Sequence, residues 1–372
     1  MLHTDICIAG AGIIGLSIAL ELQARKLNVI VVEAGLPLSE ASTAAAGMLA
    51  AEDPHNPAEL LALSQHSISI YSEFLDRVER LGGVHVPYQT QRTLQQLPDE
   101  ATDHRDAEAN RHAPLDSFLF KTWDDSGRAL SSGFQLLDEK SIDPRQLAAS
   151  LLAAVEATSI RLLTGSPVLS TSAAGDRVAV TTPHHSIDAA QFIDCTGAWA
   201  AQPSGTLSDD PAYEVIPIKG QMLAVALPPN LPMDCTLRTE KIYIVPRTVG
   251  ANAGRAIIGA TVEDVGFDKT VHTPQISDLQ DQAARLLPQL RDAEVLESWA
   301  GLRPATPDRL PLLGAHPTRP RHLIATGHYR NGILLAPATA HVIAQLVFGE
   351  TPSVSLAAFD PNRASVRRRP RG

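Results

Sequence analysis

This 372-residue sequence has few cysteines and few aromatic residues, and it has no excess of basic charge. Its cysteines are Cys7, Cys195 and Cys235, an odd number without metal-like spacing, and the first two lie in apolar runs. We therefore interpret them as small buried side chains in a reducing compartment, and we predict no metal site. Lysine and arginine number 31 against 41 acidic residues, so the net charge of −10 argues against a nucleic-acid partner.

An apolar run of membrane-spanning length is also missing. The apolar stretch at residues 6–20 has no basic residue before it and is interrupted by three spaced glycines, which is unlike a signal peptide. We therefore expect a cytoplasmic protein without membrane contact. The chain is longer than one ordinary domain, which predicts two.

A βαβ unit begins almost at the N-terminus. Asp5–Ala9 is a short apolar run that ends at a glycine, Ile13–Arg25 has helical periodicity, and Asn28–Val32 is a second apolar run. The crossover makes the two predicted strands parallel. Similar strands occur in the middle, at Gln191–Cys195, and near the end, at Arg321–Thr326, with other strands between them.

This distribution predicts an α/β fold (α+β overall) of two discontinuous domains. A Rossmann-like nucleotide-binding domain, residues 1–85, 141–200 and 296–362, is interwoven with a substrate-binding domain, residues 86–140 and 201–295, that is built on an antiparallel sheet. Residues 363–372 form a basic tail that we expect to be disordered. The polar stretch between residues 90 and 128 has no assignment.

The glycines of the βαβ unit form a dinucleotide-binding fingerprint, Gly10-x-Gly12-x-x-Gly15. Gly10 permits the tight turn, Gly12 leaves room for a pyrophosphate at the helix N-terminus, and Gly15 lets the helix pack closely on the sheet. Glu33 ends the second strand, where its carboxylate can accept hydrogen bonds from a ribose diol and would repel a 2′-phosphate. The fingerprint thus favours FAD or NAD over NADP.

FAD and NAD share this fingerprint, so the choice between them needs a separate argument. Enzymes that pass electrons from a nicotinamide to a flavin generally need two nucleotide sites, and the sequence has no second glycine motif. If the cofactor is FAD, its reductant is then the substrate itself. A nicotinamide-dependent dehydrogenase remains open at this point.

Five later segments carry a resemblance that covers nearly the whole chain. They are Ser42–Leu49, Pro217–Gln221, Tyr243–Arg247, Gly301–Pro304 and Gly327–Pro337, and they follow one another in the family's order. Together they resemble the glycine oxidases of the D-amino-acid oxidase family. The resemblance implies an FAD-binding domain, with FAD bound between the two domains and not attached covalently, because no cysteine follows Arg303 as it does in the related sarcosine oxidases.

The resemblance also assigns residues to the cofactor. Together with the fingerprint, they are Gly10, Gly12, Ile13, Ile14, Gly15, Glu33, Ala34, Ser42, Thr43, Ala46, Gly47, Met48, Val168, His328, Tyr329, Arg330, Asn331, Gly332, Ile333 and Leu334. Ile13, Ile14, Glu33 and Ala34 approach the adenosine and pyrophosphate end, and Ser42, Thr43, Ala46, Gly47 and Met48 approach the flavin side. Val168 meets the adenine, and the last group wraps the pyrimidine edge of the flavin. His328 is expected to pack near the flavin as a loop residue.

Three residues are assigned to a small amino-acid substrate. Arg303 matches the family's carboxylate-binding position, where a guanidinium offers a bidentate, charge-assisted fork. Tyr243 adds a second hydrogen bond to the carboxylate, and Arg330 lies beside the flavin. An alternative interpretation of Arg303 is a buried structural ion pair, and Tyr243 could be an ordinary strand aromatic.

The implied chemistry is amine oxidation. A hydride passes from the substrate Cα to flavin N5, dioxygen takes the electrons to form hydrogen peroxide, and water converts the imine to a 2-oxo acid and ammonia. No side chain is expected to act as acid or base. Lys241 and Val262 depart from the family's pattern near the pocket, so glycine, sarcosine and a small D-amino acid are all candidate substrates.

Three other readings stay open. The same fold could serve a dehydrogenase that passes electrons to a quinone or carrier, a flavoprotein without catalytic activity, or a nicotinamide-dependent dehydrogenase. The resemblance further implies a homo-oligomer and a role in thiamine biosynthesis.

Overall fold

The computed structural model describes residues 1–96, 134–200 and 213–366. Most of the unassigned polar stretch falls outside these ranges. The strands are β1 Leu2–Ala9, β2 Val29–Val32, β3 Tyr88–Thr90, β4 Thr93–Gln96, β5 Phe134–Leu137, β6 Ser141–Ile142, β7 Arg161–Leu163, β8 Ser170–Ala174, β9 Arg177–Thr181, β10 Ser186–Asp194, β11 Ile216–Ala226, β12 Thr236–Arg238, β13 Tyr243–Arg247, β14 Arg255–Gly259, β15 Val295–Ala305, β16 Leu312–Ala315 and β17 His322–Thr326. The helices are α1 Ile13–Ala24, α2 Ala41–Ala44, α3 Leu61–Gly82, α4 Pro144–Glu156, α5 Thr273–Leu286 and α6 Gly332–Val347.

The first sheet is built around β1. Its strand order is β16-β17-β10-β1-β2-β7, and the β8–β9 hairpin joins through β9 to β10. β1 pairs in parallel with β2 on one side and with β10 on the other. The chain therefore leaves β1 in one direction and later returns to its opposite edge, and at such a switch point the carboxyl ends of the strands diverge to leave a crevice for a ligand. The predicted βαβ unit and mixed α/β class are confirmed.

Both faces of this sheet are covered, as a parallel sheet requires. Ile6 and Ile8 of β1 point into a core shared with α1, α3, α4 and α6, whereas Cys7 and Ala9 point to the hairpin side. Because helices surround α1, it is apolar nearly all round and not amphipathic. At the start of α4, the Asp143 carboxylate accepts a hydrogen bond of 2.9 Å from the Arg145 backbone N–H.

The second sheet has the order β15-β11-β14-β13-β12-β4-β5 in the described residues, and it is antiparallel except between β12 and β4. The face of this sheet that carries Leu223, Ile244 and Ile258 packs against α5. The two chain segments assigned to the substrate-binding domain supply β4, β5 and β11–β14. β15, however, belongs to this sheet as well, because it pairs along its length with β11. The domain boundary predicted at residue 296 is therefore wrong. It cuts through β15, whereas the whole strand to Ala305 belongs to the second sheet.

The predicted basic tail begins too early. Arg363 donates to both carboxylate oxygens of Asp308, at 2.7 and 2.9 Å, and Val366 is fully buried. The Val366 carbonyl also accepts a hydrogen bond from the Glu214 backbone N–H. Residues 363–366 are thus packed on the domain by a bidentate ion pair and an apolar contact, and the rest of the predicted tail lies outside the described residues. Within the described ranges, no helix has the length and hydropathy needed to cross a membrane.

Candidate cofactor and substrate site

A cavity of about 620 Å³ joins the carboxyl ends of the parallel strands to the second sheet. At one end it is lined by the glycine turn after β1, and at the other by Met222 and Tyr243 of the second sheet and by Gly301–Pro304 of β15. This volume falls within the range of small-molecule and cofactor sites. Loops from both sheets meet here, so the site exists only when the interwoven segments are assembled.

Two positions of the glycine turn, Gly10 and Gly15, have no space for a side chain. A Cβ on Gly10, whose φ is +98°, would lie 2.4 Å from the Cys195 carbonyl oxygen at the end of β10. A Cβ on Gly15 would lie 2.0 Å from the Gly10 carbonyl oxygen. Gly12 is the N-cap of α1 and has no side chain to cap the helix, so that among its first N–H groups that of Ile13 is bound by the Ser42 hydroxyl. The helix therefore presents its N-terminus to the cavity, where backbone N–H groups and the helix dipole favour a pyrophosphate.

Glu33 links the two turns that border this end of the cavity. One carboxylate oxygen accepts a hydrogen bond of 2.7 Å from the Ala11 N–H, and the other accepts one of 2.8 Å from the Gly35 N–H. Ser42 similarly accepts a hydrogen bond of 2.9 Å from the Ile13 N–H. The carboxylate is thus held by backbone donors at the mouth of the glycine turn, where the sequence predicts the ribose.

A segment of small residues, Ala44–Gly47, forms one wall of the cavity. Gly47 has φ +87°, and a Cβ there would lie 2.1 Å from the Ile142 carbonyl oxygen. Two side chains of the second sheet hold the segment: Trp299 donates to the Ala44 carbonyl at 3.0 Å, and Arg247 donates to the Ala46 carbonyl at 2.9 Å. Small side chains on a fixed backbone leave a flat surface that a planar ring can approach.

Arg303 lies on the second sheet and projects over Gly220 of the neighbouring strand. A Cβ on Gly220 would lie 2.2 Å from Arg303 Nη2. The guanidinium donates from Nη1 to the Thr261 carbonyl at 3.0 Å and to the Lys219 carbonyl at 3.4 Å. Burial lowers the pKa of Arg303, and the neighbouring Tyr243 and Tyr329 partly oppose this shift. Within the described part of the chain no carboxylate forms an ion pair with Arg303, so the alternative of a structural ion pair finds no support there.

Tyr243 faces the same space from β13. It pairs in register with Gly259, and a Cβ on that glycine would lie 2.5 Å from the Tyr243 hydroxyl oxygen. Burial raises the pKa of Tyr243, although the positive charges of Arg303 and Arg330 pull it down. The hydroxyl is therefore protonated at neutral pH and can donate a hydrogen bond to an anion that Arg303 holds.

Arg330 also lines the cavity, but its charge is already paired. Its Nη2 lies 2.9 Å from an Asp53 carboxylate oxygen, and the Asp53 side chain is only 4 % exposed. Burial opposes ionisation of Asp53, yet the charges of Arg238 and Arg330 and hydrogen bonds from His55 outweigh it, so the pKa of Asp53 lies below its usual range. Next to this pair, Asn331 donates to the Asn56 side-chain oxygen at 3.0 Å. The loop that carries Asp53 and Asn56 thus clamps two of the residues predicted to contact the cofactor.

His328 is buried beside the cavity, with Nε2 3.0 Å from the Thr339 hydroxyl. Burial lowers the pKa of His328 to about 3, so its imidazole is neutral at physiological pH. Tyr329, the next residue, has φ +49° and donates its N–H to the Pro304 carbonyl at 2.8 Å. This bond ties the loop before α6 to the strand that carries Arg303.

All but three of the predicted site residues line the cavity. Gly15 packs against the backbone of Gly10, as its spacing suggested, and does not reach the cavity. Thr43 points away and donates to the Leu38 carbonyl at 2.9 Å. Leu334 is 1 % exposed and belongs to the core around α6. In a helical segment only one side can face a ligand, and Thr43 and Leu334 lie on the other side.

Several lining residues were absent from the sequence prediction. They are Asp53, Ser166, Pro167, Thr196, Gly197, Ala198, Trp199, Met222 and Gly301, among others. The group from Thr196 to Trp199 directly follows β10, whose predicted end at Cys195 was a usable signal, since the carboxyl ends of neighbouring parallel strands meet at one edge. Asp53 carried no such signal, because its partner Arg330 is 277 positions away.

Comparison with known proteins shows the family to which the chain belongs. A family model described as FAD dependent oxidoreductase (DAO) matches residues 5–346. The bifunctional protein ThiO/ThiG of Nostoc sp. is 36 % identical over 371 residues, which cover 97 % of this chain and 55 % of that protein. The chain therefore spans about half the length of the first curated relatives it matches.

Other relatives correspond over their full length. The glycine oxidase of Geobacillus kaustophilus is 30 % identical over 373 residues, which cover 96 % of this chain and 97 % of that protein. Its crystal structure superposes with a TM-score of 0.85 at 28 % identity and covers 98 % of this chain and 99 % of that one. The helix N-terminus at the cavity, the glycine turn and the wall of small residues all fit a flavin dinucleotide. The chain belongs to the FAD-dependent oxidoreductase family of the D-amino-acid oxidase type, and FAD is its cofactor.

Proposed function

We propose that this protein is a glycine oxidase, which converts glycine or another small amine, with dioxygen and water, to a 2-oxo acid, ammonia or a primary amine, and hydrogen peroxide. The observation that carries the proposal is Arg303. Its guanidinium lies in the cavity without a counter-ion among the described residues, beside the protonated hydroxyl of Tyr243. Such a pair suits one carboxylate.

Bound FAD would supply the two-electron acceptor for the substrate Cα–H bond and would return those electrons to dioxygen. The chain's own part is to orient the substrate. Arg303 and Tyr243 fix the carboxylate, which leaves the Cα and the amine to turn toward the wall formed by residues 44–47. Holding the reacting groups in one geometry removes much of the entropic barrier.

In the part of the chain that the structure describes, no histidine near Arg303 is suited to proton abstraction. Within the described residues, His328 is the histidine that lines the cavity, and burial keeps its pKa near 3. The substrate amine would lose its proton before oxidation, so that orientation and the charge of Arg303 carry the rate enhancement.

The cofactor is proposed to be held without a covalent bond. The residues after Arg303 are Pro304, Ala305 and Thr306, which offer no thiol. Cys195 lines the cavity at the glycine-turn end, and burial raises its pKa well above the usual range, so its thiol stays protonated and unreactive.

The pathway role is part of the same proposal. Relatives named ThiO support participation in thiamine biosynthesis, where the imine formed from glycine would feed formation of the thiazole ring. A cytoplasmic, homo-oligomeric enzyme is proposed on the resemblance to glycine oxidases.

The test is anaerobic mixing of the purified flavoprotein with glycine, sarcosine and D-alanine in parallel. Loss of the flavin absorbance with at least one of them, followed by peroxide release on admission of air, is the expected result. Flavin reduction without peroxide would favour a dehydrogenase that uses a quinone or carrier. Replacement of Arg303 by Met should raise KM at least tenfold, whereas Arg255→Met, on a strand of the same sheet but outside the cavity lining, should not.

A further inference from the structure

Among the residues that the structure describes, two arginines line the cavity, and Arg330 but not Arg303 has a carboxylate counter-ion. Arg303 donates to backbone carbonyls and to no carboxylate of the described residues. Arg330 forms an ion pair with Asp53 at 2.9 Å. The two guanidinium groups are close enough for the charge of Arg330 to lower the pKa of Arg303. Of these two guanidinium groups, that of Arg303 has no carboxylate partner among the described residues.

The Asp53 carboxylate is held rigidly in its place. One oxygen accepts hydrogen bonds from the His55 backbone N–H and its ring Nδ1, both at 2.9 Å, and the other oxygen receives Arg330. Arg238 is also close enough for its charge to lower the pKa of Asp53. It is 1 % exposed and pairs with Glu139 at 2.8 Å. The two arginines Arg238 and Arg330 are thus matched by the two carboxyl groups of Asp53 and Glu139.

We propose that Asp53, by neutralising Arg330, restricts the substrate to amines that carry a single carboxylate. This inference rests on the proposed function, because it takes Arg303 as the carboxylate-binding residue. A second carboxylate would meet an arginine whose charge is already balanced, together with the negative charge of Asp53. Without the Asp53 charge, Arg330 becomes a second anion-binding group, and an aminodicarboxylate can bind to both arginines.

Asp53→Asn is the variant that tests this idea. The amide has the same shape and its oxygen can still accept the hydrogen bonds from His55, so the change removes charge with little change of volume. Two pairs of substrates differ by one carboxylate: sarcosine against iminodiacetate, and D-alanine against D-aspartate. We expect the ratio of kcat/KM for the dicarboxylate to that for its partner to rise roughly tenfold or more in at least one pair, since a charge-assisted hydrogen bond is gained.

Two further variants separate charge from loop movement. Asn56→Ala removes a hydrogen bond from the same loop to Asn331 and leaves the Asp53–Arg330 pair in place, so it should not change the ratio. Adding Arg330→Met to Asp53→Asn should abolish the gain, because the freed cation is then gone. An equal rise in Asn56→Ala, or a gain that survives in the double variant, would overturn the proposal.

A binding measurement keeps this test independent of catalysis. Calorimetric titration of the FAD-loaded protein with acetate and with malonate compares one and two carboxylates without any reaction. Malonate affinity should rise roughly tenfold in Asp53→Asn relative to acetate affinity. If no amine reduces the flavin but this shift occurs, the proposed function fails and the role of Asp53 stands. If glycine is oxidised and neither ratio moves, the role of Asp53 fails alone.

Discussion

The indole nitrogen of Trp299 donates a hydrogen bond of 3.0 Å to the carbonyl oxygen of Ala44. Trp299 belongs to the second sheet, and Ala44 ends the short helix α2 beside the cavity. Two residues further along the same strand, a Cβ on Gly301 would lie 2.5 Å from the Ala44 Cβ. The second sheet therefore fixes the wall formed by Ala44–Gly47, both by a hydrogen bond and by the close approach of Gly301.

Replacement of Trp299 by Phe should weaken FAD binding. The phenyl ring keeps the apolar contact, but the Ala44 carbonyl loses its donor and the wall loses one constraint. A neutral hydrogen bond contributes about 1 kcal/mol, so the dissociation constant of FAD should rise about two- to tenfold. Fluorescence titration of the flavin-free protein with FAD measures the change.

The matched control is Arg145→Gln. The Arg145 guanidinium lies 4.8 Å from the Trp299 ring centre and pairs with Glu297 at the surface, whereas the hydrogen bond to the Ala44 carbonyl comes from Trp299. FAD affinity should stay at the wild-type value in this variant. A similar loss in both variants would mean that ring packing, and not the hydrogen bond, positions the wall.

A Gly220→Ala substitution should damage substrate binding and spare the fold. The new methyl group would lie 2.2 Å from Arg303 Nη2, which is the far end of a flexible side chain. The guanidinium can move away cheaply, so the melting temperature and FAD affinity should change little. KM for the amine should rise about tenfold or more, because a bidentate contact depends on the position of the guanidinium.

The same substitution in an Arg303→Met background should have no further effect on KM. The methyl group then meets no guanidinium, and two changes that act through one group are not additive. Steady-state kinetics of the four proteins give the coupling directly. An additive loss would show that Gly220→Ala acts through the backbone of β11 and not through Arg303.

The local part of the fold was predictable because each signal lies within a few residues. The apolar run of β1, the glycine turn and the periodicity of α1 follow one another, and each has a steric reason that Gly10 and Gly15 make explicit. The helix predicted over Ile13–Arg25 agrees with α1, Ile13–Ala24, to within one residue. Capping by Asp143 and the following proline is the kind of signal that a short window contains.

Long-range pairing was not predictable in the same way. β15 has the composition of a strand in either sheet, and only its register with β11 decides which sheet it joins. Asp53 lies in a polar loop sequence that gives no hint of a buried ion pair. Its low exposure results from the assembly of that loop with Arg330 and Arg238, which come from distant parts of the chain. Single-sequence patterns cannot contain such information without the fold.

His328 provides a prediction for stability against pH. Burial lowers its pKa to about 3 in the folded protein, from an ordinary value of 6.5. Between these values the unfolded chain binds a proton that the folded chain does not, so the free energy of unfolding rises with pH and falls as the solution is acidified below 6.5. One such proton corresponds to about 1.4 kcal/mol per pH unit. His316, whose pKa burial and the charge of Arg319 lower to about 4, adds a second contribution.

The variant His328→Gln should therefore lose less stability on acidification than the wild type. Glutamine does not titrate, and its amide can still bond to the Thr339 hydroxyl. Urea unfolding at saturating FAD, measured at pH 7, 6, 5 and 4, should give curves that diverge below pH 6.5 by up to about 1.4 kcal/mol per unit. The dependence due to His316 should remain in both proteins. Parallel curves would show that His328 binds a proton while the protein stays folded. The burial of His328 would then not be what keeps its imidazole neutral.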